Sequence, residues 1–101
     1  MPEFTTIRKR DSTLAPFDPE RIRSVIAKAS ECSEQLEAKE ISMLVDEVLK
    51  RLSEKVNRRK DSIPTVEDVQ DAIEEMLIKY EHTKVAKHFI LYRHERQRIR
   101  E

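Results

Sequence analysis

The chain has no glycine in 101 residues, against an average share of about 7%. A phosphate-binding P-loop and a dinucleotide-binding fingerprint both need glycines at fixed offsets, so neither is present. Every turn must also be built without the residue that adopts positive φ at no steric cost. Cysteine is almost as scarce. Cys32 is the single one, which leaves no internal disulfide and no cysteine cluster for zinc, and a cytosolic protein is the simplest reading. No apolar run approaches the 18 residues that would suggest a membrane span. The N-terminus lacks the basic start and apolar stretch of a signal peptide. There is no excess charge of either sign: 20 acidic residues balance 20 basic ones. A net charge of zero argues against a chain-wide grip on nucleic acid or on an anionic membrane.

What is present is charge, at 40% of residues, and helical periodicity. The length fits one domain, residues 1–101, with a modest core. Thr5 to Arg10 begins with β-branched residues and alternates weakly, Asp11-Ser12 is a turn signal, and Leu14 to Phe17 can return as a second strand. The pattern predicts a hairpin over about 5–17. Asp18-Pro19 is a helix start, with a capping side chain followed by a proline in the first helical position. Ile22, Val25, Ile26 and Ala29 then recur at helical spacing, predicting a helix over about 18–32. The longest apolar stripe, Ile41, Leu44, Val45, Val48, Leu49, Leu52 and Val56, predicts a second helix over 38–57. Arg58 to Ser62 reads as a polar break, and Ile63-Pro64 as a short extended piece. Thr65 with Asp68 has the spacing of a capping box. It opens a third helix over 65–80, with Val66, Val69, Ile73, Met76, Leu77 and Tyr80 inward. A fourth runs over 84–100 with Val85, Ala86, Phe89, Ile90 and Tyr92 on its apolar side. No Gly or Pro stops it, as expected of a piece of a longer protein. The fold class expected is α+β: a small four-helix bundle capped by a short β-hairpin or three-stranded sheet.

Ile7-Arg8-Lys9-Arg10-Asp11 resembles the opening motif of the ATP-cone family, in which an apolar residue and any residue precede Lys-Arg-Asp-Gly. Pro16-Phe17-Asp18 with Arg21 and Ile22 is similar to its second segment, and Pro64 to Gln70 to its third. Val85 to Arg93 is similar to its closing helix, with Val-Ala-Lys and Tyr-Arg in place. The four segments span nearly the whole chain in order. The resemblance implies a regulatory domain of ribonucleotide reductases that binds ATP or dATP, with Mg²⁺, and signals to the remainder of a reductase or to an identical subunit. The flavour of Phe17 to Glu20 and Leu91 to Arg93 is most similar to the anaerobic branch. Two positions depart from the family. Ser12 stands where Gly is usual, and Arg21 where Lys is common.

Each candidate site residue has a plainer reading beside the functional one. Lys9 and Arg10 are the leading phosphate contacts, since charge-assisted bonds to a polyphosphate are short and strong; otherwise they are a solvated strand edge. Arg21 can reach the same phosphates from the helix N-terminal side, or it pairs with Glu20 or Asp18. Ile7, Phe17 and Ile22 can sandwich a purine, or are plain core. Thr65 caps a helix and, by the resemblance, touches ribose or phosphate. Arg93 and His94 complete a phosphate site or belong to a solvated helix end. Cys32 reads as an unreactive helix-end residue, and His82 and His88, without a metal-ligand pattern, as surface residues. No nucleophile–base pair is apparent, so a regulatory rather than catalytic domain is expected. Two other readings stay open: a cone that has lost its nucleotide and acts as a protein-interaction module, and the effector domain of a nucleotide-sensing transcriptional repressor.

Overall fold

Apolar periodicity and local caps account for where the helices lie. The computed structural model describes residues 4–59 and 63–100, with side chains up to residue 95. Helix α1 (Pro19–Glu31) starts at Asp18, an extended N-cap whose Oδ1 accepts the Glu20 N–H at 3.0 Å. The cap satisfies one of the amides that a helix start leaves unpaired, and Pro19 gives up an N–H the helix does not use. At the other end Ser30 and Ser33 donate their hydroxyls to the Ala27 and Ala29 carbonyls at 2.8 and 2.9 Å. Helix α2 (Ala38–Arg59) carries the long stripe and buries Ile41, Leu44, Val45, Val48, Leu52 and Val56. It runs two residues further than the stripe predicts. Arg58 and Arg59, expected in a polar break, form its last turn, where cations complement the helix dipole and Arg59 holds Asp68 at 2.8 Å. The rest of that break, residues 60–62, lies outside the described residues.

Helix α3 (Val66–Lys79) opens with the capping box. Thr65 Oγ1 accepts the Asp68 N–H at 3.1 Å, and Asp68 Oδ2 accepts the Thr65 N–H at 2.9 Å. Burial works against the Asp68 charge, but the Thr65 amide, Arg59 and the Thr65 hydroxyl together hold its carboxyl below the usual range. Helix α3 ends in a Schellman motif. The Glu81 N–H bonds to Ile78 O at 3.0 Å and the His82 N–H to Leu77 O at 2.8 Å. This places Glu81 at φ 64 where glycine is the usual choice. Helix α4 (Thr83–Arg100) follows directly. His82, expected on the surface, sits between them with its side chain only 15% exposed, Nδ1 lying 3.1 Å from Glu34. It ties the α3–α4 connection to the α1–α2 connection.

Strands β1 (Thr6–Arg8) and β2 (Leu14–Pro16) pair antiparallel, with Ile7 opposite Ala15. The turn closes with Lys9 N–H to Thr13 O at 2.8 Å and Ser12 N–H to Lys9 O at 2.9 Å. Ser12 takes φ 71, the left-handed position of a three-residue hairpin loop. Asp11 braces the loop, accepting the Thr13 hydroxyl at 2.6 Å and its N–H at 3.1 Å. Those two bonds lower its carboxyl pKa. The Arg8 N–H donates to Pro64 O at 2.9 Å, and Arg8 forms one parallel bridge with Thr65. The sheet is thus two-stranded, with a single bridge to the start of α3.

The helices close a ring, α1 against α2 and α4, and α3 against α2 and α4. Ile26, Leu44, Val48, Leu52, Leu77, Val85 and Phe89 are fully buried at its centre. Leu36, in the connection after α1, and Ala72 join this core without having been singled out by periodicity. Across α2 and α3, Glu75 holds Arg51 at 3.2 Å and Lys55 at 2.9 Å, and the Tyr80 hydroxyl donates to Glu47 at 2.5 Å. The hairpin lies over the end of this ring where α1 and α3 begin.

Candidate functional site

A groove of about 490 Å³ opens where the hairpin meets α1, α3 and α4. Each wall follows from a local sequence feature. β1 and its turn contribute Ile7, Lys9 and Arg10, because strand alternation sends Ile7 and Lys9 to one face. β2 and the α1 cap contribute Ala15, Pro16, Phe17 and Asp18. From α1 come Arg21, Ile22 and Val25, one helical face at i, i+1 and i+4. From α3 come Val66, Val69, Gln70 and Ile73, and from α4 Phe89 and Tyr92. The floor is apolar and continuous with the core: Ile22, Ile73 and Phe89 are buried there, with Phe17, Val25 and Val69 packed against them. The rim is cationic, with Lys9, Arg10 and Arg21 against the single carboxylate of Asp18.

Of the nine residues marked out in the sequence, six line this groove: Ile7, Lys9, Arg10, Phe17, Arg21 and Ile22. Lys9 and Arg21 make no salt bridge among the described residues, and Glu20 faces Arg23 at 3.8 Å rather than Arg21. Arg10 is engaged. Its Nη2 lies 2.7 Å from Glu67 Oε1 and donates to Gln70 Oε1 at 3.2 Å. The other three stand apart from the lining. Thr65 spends its hydroxyl on the α3 cap. Arg93 faces α3, with Glu67 at 2.8 Å, Asp71 at 2.9 Å and Glu74 at 3.3 Å. Burial opposes the Arg93 charge, but Glu67 and Asp71 raise its pKa above the ordinary guanidinium value. His94 is exposed on α4. Sequence reasoning passed over Gln70 and Tyr92 as groove residues. Val66, Val69, Gln70 and Ile73 recur at helical spacing, and that was the available signal for the α3 wall.

The groove can do two things at once. Its floor can cover one face of a flat apolar ring, and its rim can meet several negative charges on the same ligand. A second depression, about 390 Å³ between α2 and α3, is lined among the described residues by charged ones alone, Arg51, Lys55, Arg58, Arg59 and Asp68. Of its four cations, Arg51, Lys55 and Arg59 are paired with Glu75 and Asp68, and Arg58 is the fourth. The described residues contain no group of three His, Cys, Asp or Glu side chains placed to hold a metal ion. Asp18 is the one carboxylate among the described residues that line the groove.

Residues 5–98 match the family model described as the ATP cone domain. The chain is 37% identical over 98 residues to a vitamin B12-dependent ribonucleoside-diphosphate reductase of Thermoplasma acidophilum, covering 92% of the chain and 12% of that protein. It is 32% identical over 98 residues to a protein of the same name from Mycobacterium tuberculosis, covering 93% of the chain and 13% of the relative. A ribonucleoside-diphosphate reductase subunit alpha of Chlamydia muridarum is 27% identical over 103 residues, covering 95% and 10%. None of these three is named as an anaerobic enzyme. The chain spans about an eighth of the length of the first of these relatives.

Proposed function

The chain belongs to the ATP cone domain family, and on that footing we propose that it is a regulatory module binding ATP or dATP in the groove under the hairpin. Occupancy is then passed to the activity or assembly of a ribonucleotide reductase. One observation carries the reading: an apolar floor and three rim cations, two of them without a salt-bridge partner among the described residues, share one groove of about 490 Å³. That size lies within the range of small-molecule sites. In the bound state Ile7, Phe17 and Ile22 cover the adenine, while Lys9, Arg10 and Arg21 meet the triphosphate with its Mg²⁺. Arg21 in place of the common Lys offers a planar fork for two phosphate oxygens. We assign the domain no catalysis of its own. Its partners are the adenine nucleotide and the remainder of a reductase or an identical subunit, and its setting is cytosolic. In line with that setting, no helix among the described residues is long and apolar enough to cross a membrane.

ATP and dATP differ by one hydroxyl, so opposite effects through one groove require that the two favour different conformations. The coupling expected is about 1–3 kcal/mol. Ser12 in place of the usual Gly is the main support for a cone without nucleotide. Ser12 holds the left-handed angle at φ 71 with the turn's hydrogen bonds made, which favours the binding reading. The relatives are reductases, which favours that setting over a repressor. Isothermal titration calorimetry of the domain with MgATP and with MgdATP is the test. Saturable heat for at least one nucleotide is expected, weakened in Lys9→Ala and in Arg21→Ala. Absence of heat with both at millimolar concentration overturns the proposal.

A further inference from the structure

Among the described residues, Arg10 is the rim cation that the domain already engages in an ion pair. Its Nη2 contacts Glu67 Oε1 at 2.7 Å, yet that oxygen is buried and accepts no hydrogen bond, so the contact is ionic and poorly aligned. The other carboxylate oxygen, Oε2, accepts a 2.8 Å bond from Arg93 Nη2. Glu67 thus bridges the hairpin and α4 from the first turn of α3. Arg93 has two further carboxylates, Asp71 and Glu74. Among the described residues Arg10 has Glu67 and the neutral Gln70. Of the two contacts to Glu67, the Arg10 side is the one a triphosphate can displace, because a triphosphate, even with its Mg²⁺, carries more negative charge than one shared carboxylate.

Resting on the nucleotide reading above, we propose that Glu67 is a positioning residue for Arg10. It holds the guanidinium over the groove mouth and limits its availability to phosphate. Binding transfers Arg10 from Glu67 to the ligand and leaves Glu67 wholly to Arg93. Groove occupancy is thereby registered on α4 through an exchange of ion-pair partners. Glu67 lies outside the capping box of Thr65 and Asp68, so Glu67→Gln keeps the helix start.

The experiment is MgATP calorimetry on four proteins: wild type, Glu67→Gln, Arg10→Ala and the double variant. Glu67→Gln should bind roughly two- to fivefold more tightly, the scale of a partly exposed ion pair removed as a competitor. The gain should vanish in the Arg10→Ala background. The Arg93 Nε–Hε signal in NMR should move on adding MgATP to wild type and stay nearly still in Glu67→Gln. Unchanged or weaker binding in Glu67→Gln overturns the inference while wild-type binding keeps the nucleotide reading standing. An equal gain with and without Arg10 also overturns it, since Glu67 would then act only as a general repulsive charge. No binding by wild type sinks the nucleotide reading, and the inference with it.

Discussion

Ser12 offers a direct test of how a chain without glycine makes its hairpin. The residue sits at φ 71, where a Cβ meets the following carbonyl at a cost of roughly 1–2 kcal/mol. The angle is imposed by neighbours. Lys9 bonds to Thr13 across the loop, Ser12 N–H to Lys9 O, and Asp11 takes both donors of Thr13. Ser12→Gly removes the clash and keeps these bonds, because the Ser12 hydroxyl makes none of them. Against this, glycine loses more backbone entropy on folding, about 0.5–1 kcal/mol. The expected net is a stabilisation of about 0.5–1 kcal/mol, or roughly 2–6 °C in Tm for a domain of this size. Ser12→Val should move the other way by more than 1 kcal/mol, since a β-branched residue at positive φ is a true outlier. Thermal melts followed by circular dichroism, with urea titrations to check the slope, measure both variants. The order Gly, Ser, Val in falling stability is the prediction. If Gly is the least stable of the three, the turn is not left-handed at Ser12 and the reasoning fails.

Three further outcomes follow from the same geometry. Lys9→Ala should leave Tm within error, as Lys9 makes no salt bridge among the described residues, and should weaken MgATP by about 1.5 kcal/mol, the lower end for a bond to a charged group at an open rim; thermal melts and calorimetry check the two halves. Phe89→Ala should cost about 3–5 kcal/mol in urea unfolding, because Phe89 is 1% exposed and joins the core to the groove floor. Acid should loosen the α3 start and the hairpin: Asp68 and Asp11 have folded pKa values below the ordinary 3.8, so their stabilisation is present above that value and is lost as pH falls through the folded values. Thermal melts from about pH 5 to pH 2 should show the loss, and Thr65→Ala, itself about 1 kcal/mol less stable, should reduce its size.

The helices were legible because each rests on local information: a cap, a stripe, or both. The Asp18-Pro19 start and the Thr65–Asp68 box were readable as letters, and each makes its hydrogen bonds in place. Arg58 and Arg59 were misplaced because helix length at that end depends on Asp68, a partner on another helix. Leu36 is buried by the turn of the chain between α1 and α2, which periodicity does not encode. The groove was legible on its hairpin and α1 sides, where Lys9, Arg10, Arg21 and Ile22 lie close in sequence. The α3 side was legible as the inward spacing of Val66, Val69 and Ile73, but not in Gln70, which meets Arg10 where the hairpin touches the start of α3 and Arg8 bridges Thr65. Arg93 turns to three carboxylates of α3 for a reason no spacing within α4 shows: Glu67, Asp71 and Glu74 line up at i, i+4 and i+7 on the neighbouring helix.

The central claim is that one groove takes adenine on its floor and phosphates on its rim. Backbone NMR of the isotope-labelled domain, titrated with MgATP, tests it most directly. Saturable shifts gathered at the amides of Ile7, Lys9, Arg10, Phe17, Arg21 and Ile22 are the predicted result. Shifts centred instead on Arg51, Lys55 and Arg58 between α2 and α3, or none at millimolar nucleotide, would contradict the account.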